Sequence, residues 1–297
     1  LGYVVGAKSQ MLGLDNSINY SCLLWTCLGT FLAAVGAAAF NQAIEASRDA
    51  RMERTKNRPI PMGDVSRAHA AYFGLLAVIA GVAVLCPTSN GLAAALALFT
   101  VILYVLVYTP LKSRSSTNTL VGAVVGGIPP IIGWTAATGT FAAGALVLGA
   151  ILFAWQIPHF LALAWMYRDD YARGGYKMIP NADPTGTRTA IFAVVYSLLL
   201  VPLTLGLTYL GNASWLFAFA GMLLSFILAL YALRFALTRT RGDARRLFFM
   251  SLIYLPALTI LLLVFAQTPK DRMAHGAGGY AAPSPFNPSA FDTPDQG

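Results

Sequence analysis

A chain of 297 residues in which 57% are hydrophobic and only 11% charged lies outside the soluble range, where about 25% of residues carry charge. The net charge of +8 invites a nucleic-acid partner, but its placement excludes one. Of the 20 lysines and arginines, all but Lys8, Lys270 and Arg272 fall in or beside four segments, 48–67, 112–114, 168–188 and 234–246, and the connections near 86–91, 138–143 and 210–214 carry none. This is the positive-inside pattern of a polytopic protein embedded in a lipid bilayer, with the basic loops on the cytoplasmic side or its organellar equivalent.

In chain order, residues 1–6 read as the tail of a helix that starts before this sequence, and 8–19 as a polar outside loop. Apolar runs follow at about 20–45, 68–87, 91–110, 118–137, 143–166, 189–210, 214–236 and 247–267, each near the roughly 20 residues a bilayer crossing needs. The predicted fold is an all-α polytopic membrane protein of about nine transmembrane helices, the first truncated, forming one domain over 1–266. The run 118–137 contains Gly122 and Gly126, a pair that favours close helix packing, and then Pro129 and Pro130, which predict a break. Residues 267–297 are rich in Pro, Gly, Ser and Ala without periodicity, and are predicted to form a disordered tail. Three cysteines, Cys22, Cys27 and Cys86, make neither a metal pattern nor an even disulfide set and read as small apolar residues.

The chemistry concentrates at Asn41–Pro61. Asn41, Glu45 and Asp49 follow one another at i, i+4 and i+8 where the first apolar run ends. On a helix each step of four drifts by only about 40°, so the three share one face. Arg51, Arg54, Lys56 and Arg58 come directly afterwards. Carboxylates near a bilayer are costly, and a row of them followed by a cationic loop is what a metal-bridged polyphosphate requires. Magnesium suits it, being held by one or two carboxylates together with phosphate oxygens.

A second stretch, 167–180, repeats the theme with Asp169 and Asp170 followed by Arg173 and Lys177. Asp49 precedes Lys56 and Pro59 by the same steps that separate Asp170 from Lys177 and Pro180. The matched spacing predicts two related half-sites facing one cavity. His159, in W-Q-I-P-H-F, stands within the run 143–166; an ionisable residue inside the membrane is a functional candidate, as iron ligand, proton carrier or hydrogen-bond partner. The cluster Arg234, Arg239, Arg241, Arg245 and Arg246 serves topology and anionic lipid, or the carboxylates of an amphiphilic substrate. A transporter would place its coupling acids at the midplane, whereas these lie at the inner surface.

These residues resemble a known family. N-x-x-x-E-x-x-x-D-x-x-x-x-R-T-x-x-R-P at 41–59 is similar to the first aspartate-rich motif of the UbiA superfamily of intramembrane prenyltransferases. Y-T-P-L-K at 108–112, the glycine- and proline-rich stretch 118–139, W-Q-I-P-H-F-L-A-L-A-W at 155–165, D-D-Y-A-R-G-G-Y at 169–176 and R-R-L-F-F-M-S-L at 245–252 resemble its haem-prenylating branch. The resemblance covers nearly all of 20–265 and implies helices around a central cavity, with Mg²⁺ as cofactor and farnesyl diphosphate and haem B as substrates. It implies that Asn41, Glu45 and Asp49 hold the metal–diphosphate with Arg54, Lys56 and Arg58 nearby. Asp169 and Asp170, with Arg173 and Lys177, would form the second diphosphate and metal site, and His159 would contact haem. It further implies a mitochondrial inner or bacterial cytoplasmic membrane and a link to haem A synthase and cytochrome oxidase assembly. An enzyme prenylating a quinone precursor would share the diphosphate residues, but W-Q-I-P-H-F and R-R-L-F-F favour haem. Two positions depart from the superfamily pattern: Glu45 stands where many members have Asp, and Met166 where the second motif has an acid.

Overall fold

A computed structural model describes residues 1–11, 17–269 and 271. Nine helices organise it: α1 (Gly2–Gln10), α2 (Tyr20–Asp49), α3 (Arg67–Thr88), α4 (Gly91–Leu111), α5 (Asn118–Thr138), α6 (Ala143–Met166), α7 (Thr187–Tyr209), α8 (Trp215–Thr238) and α9 (Arg241–Phe265). The eight from α2 to α9 are long and apolar enough to cross a membrane, as the hydropathy predicts. Their starts are written in the sequence. Asn19, Ser66, Asn90, Ser214 and Thr240 cap α2, α3, α4, α8 and α9 by accepting a backbone N–H two or three residues into the helix, which satisfies donors a helix start leaves free.

The helices form two halves. In the first, α2 packs on α3, α4 and α5 around Ala33, Ala37, Val78, Ala97, Val101 and Ile132. In the second, α6 to α9 enclose a larger core that includes Leu161, Leu200, Leu228, Phe235 and Tyr254. The α5–α6 pair joins them, and α1 lies against α5. Helix α1 runs to Gln10, past the point where the sequence predicts a loop; Lys8 is turned to the far end of α9, its Nζ donating to the carbonyl of Leu263 at 3.2 Å. Most of the predicted tail, like 12–16 of the predicted outer loop, lies outside the described residues.

Two expectations for α5 are corrected. Pro129 and Pro130 do not break it; the helix runs unbroken from Asn118 to Thr138. Inside a bundle, packed neighbours hold a helix through a proline, and here α1 presses on that point: a Cβ at Gly2 would lie 1.9 Å from the Pro130 oxygen. The Gly122 and Gly126 pair receives side chains, Tyr108 and Gln156, not a facing backbone. The backbone approach is made one residue on, where a Cβ at Gly127 would lie 2.8 Å from the oxygen of Gly149 on α6.

The tightest seam is α2 against α3. A Cβ at Gly36 would stand 2.5 Å from the Gly74 oxygen, and one at Gly81 2.6 Å from the Gly29 oxygen. Without a hydrophobic drive between helices in lipid, such small-residue contacts supply the association. Gly36→Val should therefore lower stability by about 1–3 kcal/mol, seen as a drop in the thermal unfolding midpoint in detergent. Gly91→Ala, which meets open space, should leave the midpoint unchanged.

Candidate active site

Asn41, Glu45 and Asp49 lie on one buried face of α2, only 7%, 3% and 3% exposed. Burial demands partners for each. Asn41 Nδ2 donates to Thr109 Oγ1 at 3.0 Å. Glu45 Oε2 accepts from Lys112 Nζ at 2.9 Å, and Asp49 Oδ2 from Arg58 at 2.7 Å. Thr109 and Lys112 reach the row because α4 widens into a π-helical turn over Leu103–Tyr108 just before Pro110. Such turns recur at functional sites; here Thr109 Oγ1 also donates back to the Tyr104 carbonyl at 2.9 Å.

Lys112 is the hub that the sequence reading passed over as a topological charge. Its Nζ stands 4.9 Å from the ring centre of Tyr108 and 5.7 Å from that of Tyr176. Its carbonyl accepts from the Lys177 N–H at 2.8 Å, and Asn118 Nδ2 donates to the Lys177 carbonyl at 2.8 Å. Gly175, at φ +73°, turns the chain so that Tyr176 folds inward; the left-handed region favours glycine there. Three polar atoms in these strapped segments are buried without a partner: Glu45 Oε1, Asn118 Oδ1 and the Tyr176 hydroxyl. Burial, together with the nearby charges of Glu45 and Asp49, pushes the Tyr176 phenol well up, so it stays a neutral donor. The Tyr108-x-x-x-Lys112 spacing, one helical turn, was the available signal for this group.

Asp170, also buried, is the second anchor. It accepts from the backbone N–H of Glu53 at 2.8 Å and of Arg54 at 3.3 Å, and from Arg173 at 2.8 Å. Burial alone would raise its pKa; the Arg173 hydrogen bond and the two backbone donors overcome this and hold the carboxyl below its usual range. Both oxygens thus accept from the cationic loop after α2 and so fasten it. Asp169 is exposed and lines an inner-surface cavity of about 470 Å³ with Arg54, Arg173 and Met166. Arg54 stacks over Tyr167 and Tyr171. Lys56 pairs with Glu53 at the surface, and the Lys177 side chain is exposed. The predicted repeat therefore appears as two segments tied directly together, though Lys56 and Lys177 are not equivalent.

His159 lies apart, on the α6–α9 seam, stacked with Trp155 and Phe248 at ring-centre distances of 5.2 and 4.7 Å. Among the described residues no three His, Cys, Asp or Glu side chains are clustered as a ready metal cage. Glu45 and Asp49 nevertheless fit a hard divalent ion: both are buried carboxylates, and Glu45 Oε1 has no hydrogen-bond partner among the described residues.

Fold and site together define an integral membrane protein whose inner-surface centre gathers buried acids and the cations paired with them. The chain belongs to the UbiA prenyltransferase family, whose profile matches residues 3–253. It is 42% identical over 90% of its length to a human protein named protoheme IX farnesyltransferase, mitochondrial, and spans 58% of that relative. It is 40% identical to a protoheme IX farnesyltransferase of Solibacter usitatus, covering 89% of this chain and 91% of the relative. A solved digeranylgeranylglyceryl phosphate synthase superposes with a TM-score of 0.73 at 14% identity, over 89% of this chain and 90% of that one. An apo UbiA homologue from Aeropyrum pernix does so at 0.66 and 17% identity, over 89% and 93%. The two solved structures establish the shared fold.

If Asp170 fastens the loop, Asp170→Ala should free it. Trypsin should then cut at Arg51–Arg58 several-fold faster than in the parent, whereas Asp169→Asn should leave the cleavage rate unchanged.

Proposed function

We propose that the protein transfers the farnesyl group of farnesyl diphosphate to a vinyl group of haem B, giving haem O. The observation that carries the reaction type is the buried Asn41, Glu45 and Asp49 row with Lys112 and Arg58 upon it, on the same helix whose preceding turns line an apolar cavity. That cavity, about 280 Å³, lies between α2, α4 and α5 and is lined by Ala34, Ala38, Thr100, Tyr104, Val125 and Ile132. It continues the α2 face that carries Asn41 away from the inner surface. The relatives' name supports haem as acceptor.

Lys112 and Arg58 bind the diphosphate oxygens, and Arg54, Arg173, Lys56 and Lys177 surround the entrance with positive charge. Magnesium held by Glu45 and Asp49, with Asp169 contributing from the mouth, would neutralise the departing diphosphate. Asn41 orients the Glu45–Asp49 row through Thr109, and the Tyr176 hydroxyl supplies a further donor. The carbon–oxygen bond breaks, and the electron pair leaves with the diphosphate. The apolar walls exclude the water that would quench the allylic cation, while the faces of Tyr104 and Tyr108, 5.2 Å apart, stabilise it. The terminal vinyl carbon of haem bonds to the allylic carbon; water then adds to the neighbouring carbon, leaving a hydroxyl and releasing a proton. His159 contacts the haem. The product feeds haem A synthase and cytochrome oxidase assembly.

Incubation of the purified chain with haem B, farnesyl diphosphate and Mg²⁺ should yield hydroxyethylfarnesyl haem by mass spectrometry. Glu45→Gln and Asp49→Asn should each reduce turnover by about 100-fold or more, and chelation of the metal should abolish it. Product with 4-hydroxybenzoate but none with haem would replace the acceptor, and undiminished turnover in both variants would remove the metal assignment.

A further inference from the structure

The arginine cluster before α9 divides into committed and uncommitted members. Arg234 and Arg246 both bind Asp243, at 2.8 and 2.7 Å, and Arg239 donates to the Thr185 carbonyl at 2.8 Å. Arg241 and Arg245 have no hydrogen-bond acceptor or acidic partner among the described residues; Arg245 only lies over the Phe249 ring. Arg241 also occupies the first turn of α9, where the helix dipole disfavours a cation. Both arginines line an open cavity of about 500 Å³ whose apolar walls are Leu163, Met166 and Phe248. Through Met166, Tyr167 and Arg241 it adjoins the cavity that holds Arg54, Arg173 and Asp169.

His159 sits deeper along the same seam. His159, Leu163 and Met166 are spaced i, i+4 and i+7 on one face of α6, and the rise from His159 to Met166 is about 10 Å. Its tautomer follows from proton counting. Ser251 Oγ has one proton, which it gives to the Phe248 carbonyl at 2.6 Å. In the 2.9 Å contact with His159 Nδ1, Ser251 must therefore accept, so Nδ1 carries the proton and Nε2 holds a lone pair. Nε2 has no partner among the described residues. A histidine whose other nitrogen is pinned by a hydrogen bond is arranged as a metal ligand.

We propose that this α6–α9 groove is the acceptor site and takes an iron tetrapyrrole dicarboxylate. Its two carboxylates meet Arg241 and Arg245 at the inner surface, its macrocycle lies against Phe248, and its iron is bound by His159 Nε2. The distance from the centre of a porphyrin to its propionate carboxylates is of the same order as the rise separating His159 from the arginines' end of α6. An anionic lipid headgroup would satisfy the two arginines but would leave Nε2 and the apolar wall without a purpose. Ser251 is a positioning residue that fixes the tautomer. This assignment rests on haem as the acceptor in the proposed reaction, and locates it at the opposite wall from the acidic row of α2.

The test is a titration of the full chain, in phosphatidylcholine nanodiscs, with ferric haem B and with its dimethyl ester. Wild type should bind the diacid at least tenfold more tightly than the diester, with a Soret shift that reports histidine ligation. Arg241→Gln combined with Arg245→Gln should erase that preference while leaving diester binding unchanged. His159→Ala should lose the ligation signature, and Ser251→Ala should shift it, with Ser251→Thr restoring it. Equal affinity of wild type for acid and diester, an unaltered diacid titration in the double variant, or a wild-type spectrum in His159→Ala would overturn the groove. So would a double variant that loses only its association with phosphatidylglycerol. Wild type that binds haem in this way but transfers no farnesyl leaves the groove standing and removes the proposed reaction. Equal product from wild type and the double variant at limiting haem does the reverse.

Discussion

A carboxylate buried beside hydrocarbon has to be neutralised, since the desolvation of each ion costs several kcal/mol even after relaxation. Glu45 and Asp49 face that requirement on a helix that also crosses the membrane, and most of the inner surface is arranged around meeting it. Lys112 comes from the end of α4 and Arg58 from the loop after α2, so two separate segments converge on one row of acids. The pairs also prepare the site for its charge. In the proposed reaction a metal-bound polyphosphate would draw the acids to the metal and the cations to the phosphate oxygens, so that neither charge is left alone. A row of acids without the cations would be expensive to fold, and cations without the acids would repel one another.

The same economy explains the link between the two halves. Asp170, from the second half, is neutralised in part by backbone N–H groups of Glu53 and Arg54 in the first. These residues are more than a hundred positions apart in sequence, so one buried charge fixes how the two ends of the cleft face one another. Close glycine packing of α2 on α3 makes the acidic helix a rigid part of its half, and the π-helical turn of α4 brings Thr109 and Lys112 to it. Position at the mouth is set by tertiary contacts, while the apolar cavity behind is set by small side chains such as Ala34 and Ala38.

Much of this is legible in the residues themselves. The spans follow from hydropathy, and the shared face of Asn41, Glu45 and Asp49 follows from helical period. What escaped depends on partners distant in sequence. Lys112 looks like any positive-inside lysine until Glu45 is placed opposite it. Pro129 and Pro130 read as a break because the neighbour that holds them, α1, is not visible in the local sequence. Asp170 reads as an acid beside cations, and its fastening role is not visible in the local sequence because it depends on backbone N–H groups more than a hundred positions away. The five arginines look interchangeable until Asp243 claims two of them.

The arrangement separates two chemical tasks that a prenyltransferase must perform on substrates with little in common. In the proposed reaction the donor carries a compact, highly charged head and a flexible chain, for which the first half offers acids, cations and an apolar cavity. An iron tetrapyrrole is broad, rigid and charged at one edge, and the α6–α9 seam offers an imidazole lone pair, aromatic rings and two arginines without an acidic partner among the described residues, in that order toward the surface. Bringing the two into register is then a matter of how the halves are joined, and the groups at that junction are Asp170, Arg54 and the Tyr167–Tyr171 pair. On this reading the donor site can be kept intact while the opposite wall changes, because the residues assigned to the diphosphate do not include those assigned to the ring.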